Sequence, residues 1–345
     1  MIKYTIKRLI LAFFTAFVIL SLTFILMKLL PFQRPVGTIQ VQYNYYQNQV
    51  LDGFCVVFEK EMPNYGDCLF TYDSGGKFTY YYYQTPLFAQ YFSWIKNIFT
   101  QWNWGRSTYL KPNVEAMEII IELIPVSMKI NILSVIVSVP LGIALGIVAA
   151  LHKNKPTDNI ISTLVMIFIS VPSFVLITLS IYIFAYKLHW LPSQWPNPTD
   201  APVDKFLGYF IPVFALSFGS VCGYCRFVRA ELCEVMESEY LLLARTKGLT
   251  RRQAIIRHAL KNAMVPIVPS ILAEFIGILG GSMILESLYG IPGIGKLFTT
   301  SLSAKDYNVL FVDMALFTMI SLIAGVFLDL SYGLIDPRIR MGAKK

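Results

Sequence analysis

Six stretches of the chain are apolar over the length a bilayer demands. Residues 9–27, "LILAFFTAFVILSLTFILM", hold no Asp, Glu, Lys or Arg, and neither do 130–151, 159–186 and 206–225. Two more carry a single acid each, Glu274 within 262–285 and Asp313 within 307–328. A helix needs about 20 residues to cross about 30 Å of hydrocarbon, so the pattern predicts an all-α polytopic membrane protein with six transmembrane helices. The first stretch is too long and unbroken for a signal peptide and lacks a small-residue cleavage site, so it is expected to stay in the mature chain.

Composition agrees with that class. The 345 residues are 55% hydrophobic and only 14% charged, where a soluble domain carries about a quarter charged residues. With the N-terminus placed inside, 17 of the 29 Lys and Arg fall on inner segments, against six of the 21 acids. That bias predicts a multi-pass cytoplasmic-membrane protein with both termini cytoplasmic. The division that follows is an N-terminal helix (1–30), an outer segment (31–121), a five-helix core (122–335) and a short inner tail (336–345). The net charge of +8 follows this topology. It lacks the interleaved aromatics of a nucleic-acid surface, so no nucleic-acid partner is expected.

The outer segment is rich in tyrosine ("VQYNYYQNQ", "TYYYYQTPLF"), too aromatic for a disordered linker. It reads as a small folded cap or a membrane-surface segment, with a stacking platform for sugar or nucleic acid as the sharper alternative. Cys55 and Cys68 both lie there, where a disulfide is permitted, although nothing in the sequence fixes their geometry. Cys222 and Cys225 form a CxxC at the inner end of the fourth stretch. They read as packing residues, since no second pair completes a metal site.

Between the fourth and fifth stretches lies the most patterned polar segment, residues 229–262. Residues 229–247 read as a helix, with Glu231, Glu234 and Glu237 toward its start and Arg245 and Lys247 in its last turn, a polarity that suits the helix dipole. Gly248 is a natural terminator. Thr250 and Gln253 then form a capping box that opens a second helix. Ile255, Ile256, Ala259, Leu260, Ala263 and Met264 make its apolar stripe, with Arg257, His258, Lys261 and Asn262 on the other side. A lipid-facing basic anchor would need the charge but not the capped helix–turn–helix, so the pattern favours a docking knob.

Other chemistry is thin. "GIPGIGK" at 290–296 fits seven places of a phosphate-binding loop, but Leu297 stands where Ser or Thr should hold magnesium, and no strand precedes it. It reads as a Gly/Pro turn. The three histidines, His152, His189 and His258, are far apart in the chain. No catalytic residue and no metal site is expected. Glu274 and Asp313 remain, because acids inside spans are costly and usually functional; they support a second reading, an ion-coupled carrier.

Several ordered stretches carry a resemblance. "ARTKGL" (244–249) and "RHALKNAMVP" (257–266) resemble the EAA loop of ABC-importer permeases, in the form found in the oligopeptide, dipeptide and nickel group. Leu242 and Leu243 stand where the general motif has Glu and Ala, and Lys261 where it has Pro, departures usual for that group. "IKRLILAFFTAFVILSLTFILMKLLP" is similar to the first helix of the group's B-type (upstream) permease, and "WGRSTYLKPNVEAMEIIIELIPVSMKI" to the lead-in to its second. "ESLYGIPGIGKLF" resembles its outer turn and "DLSYGLIDPRIR" its C-terminus. The likeness covers roughly 1–33 and 99–341; the outer segment between is enlarged and outside it.

The resemblance implies a type I ABC-importer permease architecture and a non-catalytic subunit. Its partners would be a second permease, two cytoplasmic ATPase subunits that bind ATP and magnesium, and an extracellular substrate-binding protein. This chain would bind no cofactor itself. The loop would seat in a groove of an ATPase subunit, so that ATP-driven closure switches the spans from inward-open to outward-open. Ala244, Gly248 and Leu249 would form the turn and its seat, and Arg245, Arg252, His258 and Asn262 its polar contacts. Glu286, beside the outer turn, and Asp329, before the C-terminus, match the family pattern without an assigned chemistry. Peptide is the expected cargo, with nickel as the alternative.

Overall fold

In the computed structural model, residues 2–31, 34–76, 78–277 and 280–335 are described. They pack as two compact units interleaved along the chain. One comprises residues up to Ile10, Pro125–Lys296 and those from Ile320 onward; the other comprises Leu11–Ile124 and Leu297–Met319. This division cuts across the contiguous blocks suggested by the sequence. The tail expected at 336–345, with Asp336, Arg338, Arg340, Lys344 and Lys345, lies outside the described residues.

The second unit corrects the all-α expectation. After α1 (Ile2–Leu29) and α2 (Ile39–Leu51) come three antiparallel strands, β1 (Cys55–Phe58), β2 (Cys68–Asp73) and β3 (Thr79–Gln84), in the order β1-β3-β2, and then α3 (Leu87–Gln101). "CVVF", "CLFTYD" and "TYYYYQ" are β-branched and aromatic, residues that fit a half-buried pleated surface. The tyrosines that left a cap and a stacking platform open mostly form a core. Tyr45, Tyr46 and Tyr82 are fully buried with Cys55, and Tyr46 stacks on Phe70 with centroids 4.8 Å apart.

The same sheet removes the disulfide. Cys55 sits opposite Gln84 and Cys68 opposite Tyr83, on the two outer strands with β3 between them. Strands lie about 4.8 Å apart, so two steps exceed the roughly 4.4–6.8 Å a bridge tolerates between α-carbons. Both thiols are free. Burial pushes the Cys55 thiol up to about 12, which makes it unreactive.

The first unit is helical. α4 (Ala116–Leu151) runs into it through Pro125 and Pro140, followed by α5 (Pro156–Ile169), α6 (Ser173–Ser180) with a π-helical turn over Ile181–Lys187, α7 (Pro202–Leu207) and α8 (Phe210–Met236). Then come α9 (Glu239–Thr246), α10 (Arg251–Ala254), α11 (Leu260–Ala263), α12 (Ile267–Gly277) and α13 (Met283–Tyr289), followed by α14 (Ile294–Ser303) and α15 (Tyr307–Ile335), of which Leu297–Met319 belong to the second unit. Among the described residues, four helices (α1, α4, the stretch from α7 through α8, and α15) are long and apolar enough to cross a membrane. A fifth crossing results if α5 and the α6 segment, bent by 98°, count as one.

Two predicted spans are therefore broken. Residues 159–186 bend at Ser170–Pro172, where proline lacks an N–H and disfavours helix in the residue before it. Residues 262–285 are split at Met264–Pro266, and again at Gly281–Ser282, where Gly281 adopts a left-handed φ of +59°. Hydropathy is blind to such breaks.

Close packing joins α4 to α8. A Cβ on Gly142 would lie 2.6 Å from the Tyr224 Cβ, and one on Gly146 would lie 2.7 Å from that of Val228. Two glycines four residues apart let the helix backbones approach, a small-xxx-small interface of the kind that holds helices together in lipid. Cys222 and Cys225 pack beside it against Val165, Phe168 and Phe218, as the packing reading expects. Toward the C-terminal end of α8, Arg229 grips buried Asp158 of α5 with two bonds, Nε to Oδ1 at 2.5 Å and Nη2 to Oδ2 at 2.8 Å.

Candidate functional site

The loop between α8 and α12 is a rigid knob. α8 runs on from the fourth span to Met236 instead of beginning anew at 229, and the predicted 229–247 helix is interrupted at Glu237–Ser238. Ser238 takes an extended conformation at the N-cap of α9, which ends the helix before it. Lys153, from the α4–α5 turn, pairs with Glu237 at this break.

At the end of α9 the chain reverses in a Schellman motif. Gly248, at φ +95°, donates its N–H to the Arg245 carbonyl at 3.0 Å, and Leu249 donates to Ala244 at 3.4 Å. Four of the candidate residues, Ala244, Arg245, Gly248 and Leu249, thus form one hydrogen-bonded turn. One residue later, the Gln253 N–H donates to Thr250 Oγ1 at 3.3 Å while the Thr250 N–H donates to Gln253 Oε1 at 3.1 Å. The predicted capping box is present, so a helix stop and a helix start abut with no free residue between them.

The second helix includes a π-helical turn over Ile255–Ala259. Its buried face is Ala254, Ala259 and Ala263, packed with Leu232, Leu241 and Ala150. Ile256, placed on the apolar stripe by its spacing, is exposed, as are Leu242 and Leu243. The π turn carries one extra residue, which rotates the stripe so that alanines meet the core. Arg245, Arg252, His258 and Asn262 are all exposed. The outer surface of the knob therefore offers guanidinium groups beside unburied leucine and isoleucine.

The GIPGIGK turn holds an anion after all, its own. Glu286 is buried at 2% exposure. Its Oε1 accepts from Ser127 Oγ at 2.8 Å and the Ser282 N–H at 3.2 Å, and its Oε2 accepts from the Lys296 N–H at 3.1 Å. Ser127 Oγ in turn accepts from the Ile294 N–H at 3.0 Å. A Cβ on Gly293 would fall 2.4 Å from Glu286 Oε2, so only glycine fits. The N–H groups of Ser282 and Lys296 and the Ser127 hydroxyl thus hold the carboxylate, which pins the turn to α13 and α4.

The remaining candidates separate. Asp329 pairs with Arg8 at 3.0 Å. Glu274, half-buried in α12, accepts from Ser138 Oγ at 3.5 Å. Asp313 is fully buried in α15. Among the described residues no group of His, Cys, Asp and Glu could hold a metal ion.

Sequence reasoning missed Asp306. This buried carboxylate accepts from Ser107 Oγ at 2.6 Å and the Tyr109 and Leu110 N–H groups at 2.9 and 3.0 Å on Oδ2. On Oδ1 it accepts from the Thr108 N–H at 3.2 Å and Thr108 Oγ1 at 3.3 Å. "GRSTYL" wraps it, a partnership across almost 200 residues that left no local signal.

Apolar helices feeding a rigid polar knob are the build of a membrane transport subunit. A family model described as "Binding-protein-dependent transport system inner membrane component" matches residues 142–341. The dipeptide transport system permease protein DppB of Lactococcus lactis is 32% identical over 345 residues, 99% of this chain and all of that protein. DppB of Bacillus subtilis is 31% identical over 348 residues and the full length of both. The oligopeptide permease OppB of Escherichia coli K12 is 34% identical over 260 residues, 75% of this chain and 83% of that protein. The chain belongs to the family of binding-protein-dependent transport system inner membrane components. That membership favours the permease reading over an ion-coupled carrier built on Glu274 and Asp313.

Proposed function

We propose that the chain is one of two permease subunits of an ATP-driven importer that brings short peptides across the cytoplasmic membrane. An extracellular binding protein delivers the peptide, and two cytoplasmic ATPase subunits, which carry the ATP and magnesium, drive the switch. This chain supplies half of the path and binds no cofactor. Six crossings fit if the bent α5–α6 segment counts as one and the broken stretch 260–289 as another, with both termini on the cytoplasmic side. Full-length likeness to two dipeptide permeases supports peptide over nickel.

The observation that carries the coupling role is the knob itself. A Schellman turn abutting a capping box fixes Ala244–Leu249 as one body, and Arg245, Arg252, His258 and Asn262 stand exposed around it. ATP can drive the spans only if their two conformations hold the closed ATPase pair with different free energy, and a rigid connector transmits that difference.

The test is co-purification of the tagged chain with its ATPases, wild type against Gly248→Pro. Proline cannot adopt φ +95° and has no N–H to give Arg245. Loss of ATPase association with normal membrane insertion is the expected result. A wild-type chain that holds no ATPase, and still moves substrate down an ion gradient, would overturn the reading.

A further inference from the structure

α3 carries its polarity reversed. Its buried positions are Gln90, Trp94 and Asn97. The two amides are satisfied from within the second unit, Gln90 Nε2 donating to the Thr85 carbonyl at 2.6 Å and Asn97 Nδ2 to the Asp52 carbonyl at 2.8 Å. The opposite face shows Phe88, Phe92 and Phe99, each at least 67% exposed. Positions i, i+4 and i+11 fall within a narrow arc of a 3.6-residue helix, so the three rings form one stripe. Trp102, also exposed, follows as the left-handed residue that ends the helix. α3 holds no Asp or Glu and one cation, Lys96. A helix facing water is patterned the other way round.

The spans beside α3, whose contacts with it lie within the second unit, set its depth. Tyr91 Oη and Ser21 Oγ share a hydrogen bond at 2.8 Å, and Trp94 stacks on Phe24 with centroids 4.7 Å apart. Both partners belong to the apolar run 9–27 of α1, which ends at Lys28. At 1.5 Å per residue, Phe24 and Ser21 lie about 6 and 10 Å from that lysine along the helix. Trp94 also meets the Phe311 ring edge-on, with centroids 5.5 Å apart. Phe311 is four residues inside α15 from its start at Tyr307, which is about 6 Å as well. Two spans thus place the middle of α3 below the rim of the hydrocarbon, at the roughly 5–10 Å at which interfacial helices bury their apolar face. A soluble partner does not reach that level. Helix–helix contacts in a bilayer favour small residues, which a stripe of three phenylalanines lacks. Acyl chains are what the stripe fits.

We propose that α3 is an interfacial membrane anchor, its stripe of Phe88, Phe92 and Phe99 inserted among the acyl chains of the leaflet in which α1 ends. That is the outer leaflet in the topology proposed above. Exposed Lys96 stands beside the stripe, where a long side chain reaches the headgroups while its stem stays in apolar surroundings. The anchor moors the aromatic sheet, which α3 follows directly, at the bilayer surface. It requires that α1 and α15 span the membrane, and nothing of the cargo or of the coupling knob.

The test is site-directed spin labelling of the full transporter in nanodiscs. Phe88→Cys, Phe92→Cys and Phe99→Cys are made singly, so that one variant failing to assemble leaves two. The background is Cys68→Ser, because the other four cysteines are buried. Each label meets oxygen, which concentrates in lipid, and a water-soluble nickel chelate, which stays out of it. A doxyl-labelled phosphatidylcholine in the same discs is the lipid reference. Ser74→Cys, in the exposed turn after β2, is the water reference. All three labels should collide with oxygen as the doxyl lipid does, and lose most of the chelate collisions seen at Ser74. Chelate collisions as frequent as at Ser74 would mean a face open to water and overturn the proposal. Rare collisions with both would mean that protein, such as the second permease, covers the stripe, and would overturn it equally. Peptide uptake by the same variants keeps this inference apart from the transport reading: uptake by a transporter whose stripe is wet sinks the anchor alone.

Discussion

Asp306→Asn isolates the cradle around the 107–110 turn. Asparagine keeps the shape, but only one of its two terminal atoms accepts. If its oxygen takes the Oδ2 place, the three bonds from Ser107, Tyr109 and Leu110 survive as neutral bonds. Each falls from about 1.5–3 to about 0.5–1.5 kcal/mol. On the other side the amide nitrogen faces the Thr108 N–H, donor against donor, and orphans it. Leaving such a buried group unsatisfied costs about 1–3 kcal/mol. Together the loss is about 6 kcal/mol, beyond the usual range for a single substitution. At about 2–4 °C per kcal/mol, the melting midpoint should fall by roughly 15 °C. Thermal unfolding of the purified chain in nanodiscs, followed by tryptophan emission, measures it. A shift below about 2 °C would show that the bonds at Asp306 are dispensable, and the reasoning would fail.

Other outcomes follow from the same geometry. Gly146→Ala places a methyl 2.8 Å from the Cys225 carbonyl oxygen, a backbone atom that cannot rotate away; a loss of about 1–3 kcal/mol is expected in the same melt. Arg229→Met leaves the Asp158 carboxylate with only the Asn154 N–H and the Ser162 hydroxyl and should remove about 1–3 kcal/mol, read as lowered yield and midpoint, with Arg229→Lys intermediate because it cannot bond in two places. Cys55, its thiol raised to about 12 by burial, should hold only about one thiolate in ten thousand at pH 8 and resist maleimide until the second unit unfolds. The sign for stability follows from the raised value: between about 9 and 12 the unfolded thiol gives up a proton the folded one keeps, so this group weakens the fold as pH rises through that window.

What the chain disclosed in one dimension was local. Gly248, Thr250 and Gln253 were legible because a helix stop, a cap and its reciprocal partner all lie within six residues. The long apolar helices α1, α4 and α15 were legible because hydropathy needs no partner. The sheet was hidden, since tyrosine suits a membrane surface, a stacking platform and a strand alike, and only pairing with β3 decides. The breaks at Pro172, Pro266 and Gly281 were visible as letters, but an apolar run tolerates proline when a neighbour helix takes up the freed groups. Glu286 with Ser127, Asp306 with Ser107, Arg229 with Asp158 and Asp329 with Arg8 are joined over long sequence separations. Their partners come from the fold, so their roles could not be read beforehand.

The glycine contact between α4 and α8 sets what kind of movement this pair allows. Where Gly142 and Gly146 meet Tyr224 and Val228, the backbones interlock like the teeth of two racks. A slide of α8 by one helical turn, about 5.4 Å, would press Tyr224 or Val228 against a side chain where glycine had been. Tilting about the contact keeps each glycine in place and meets no such wall. α8 continues unbroken to Met236, so the pair would turn as one lever with its pivot at the glycines. Displacement would then grow with distance from that pivot, largest at the two ends of α8.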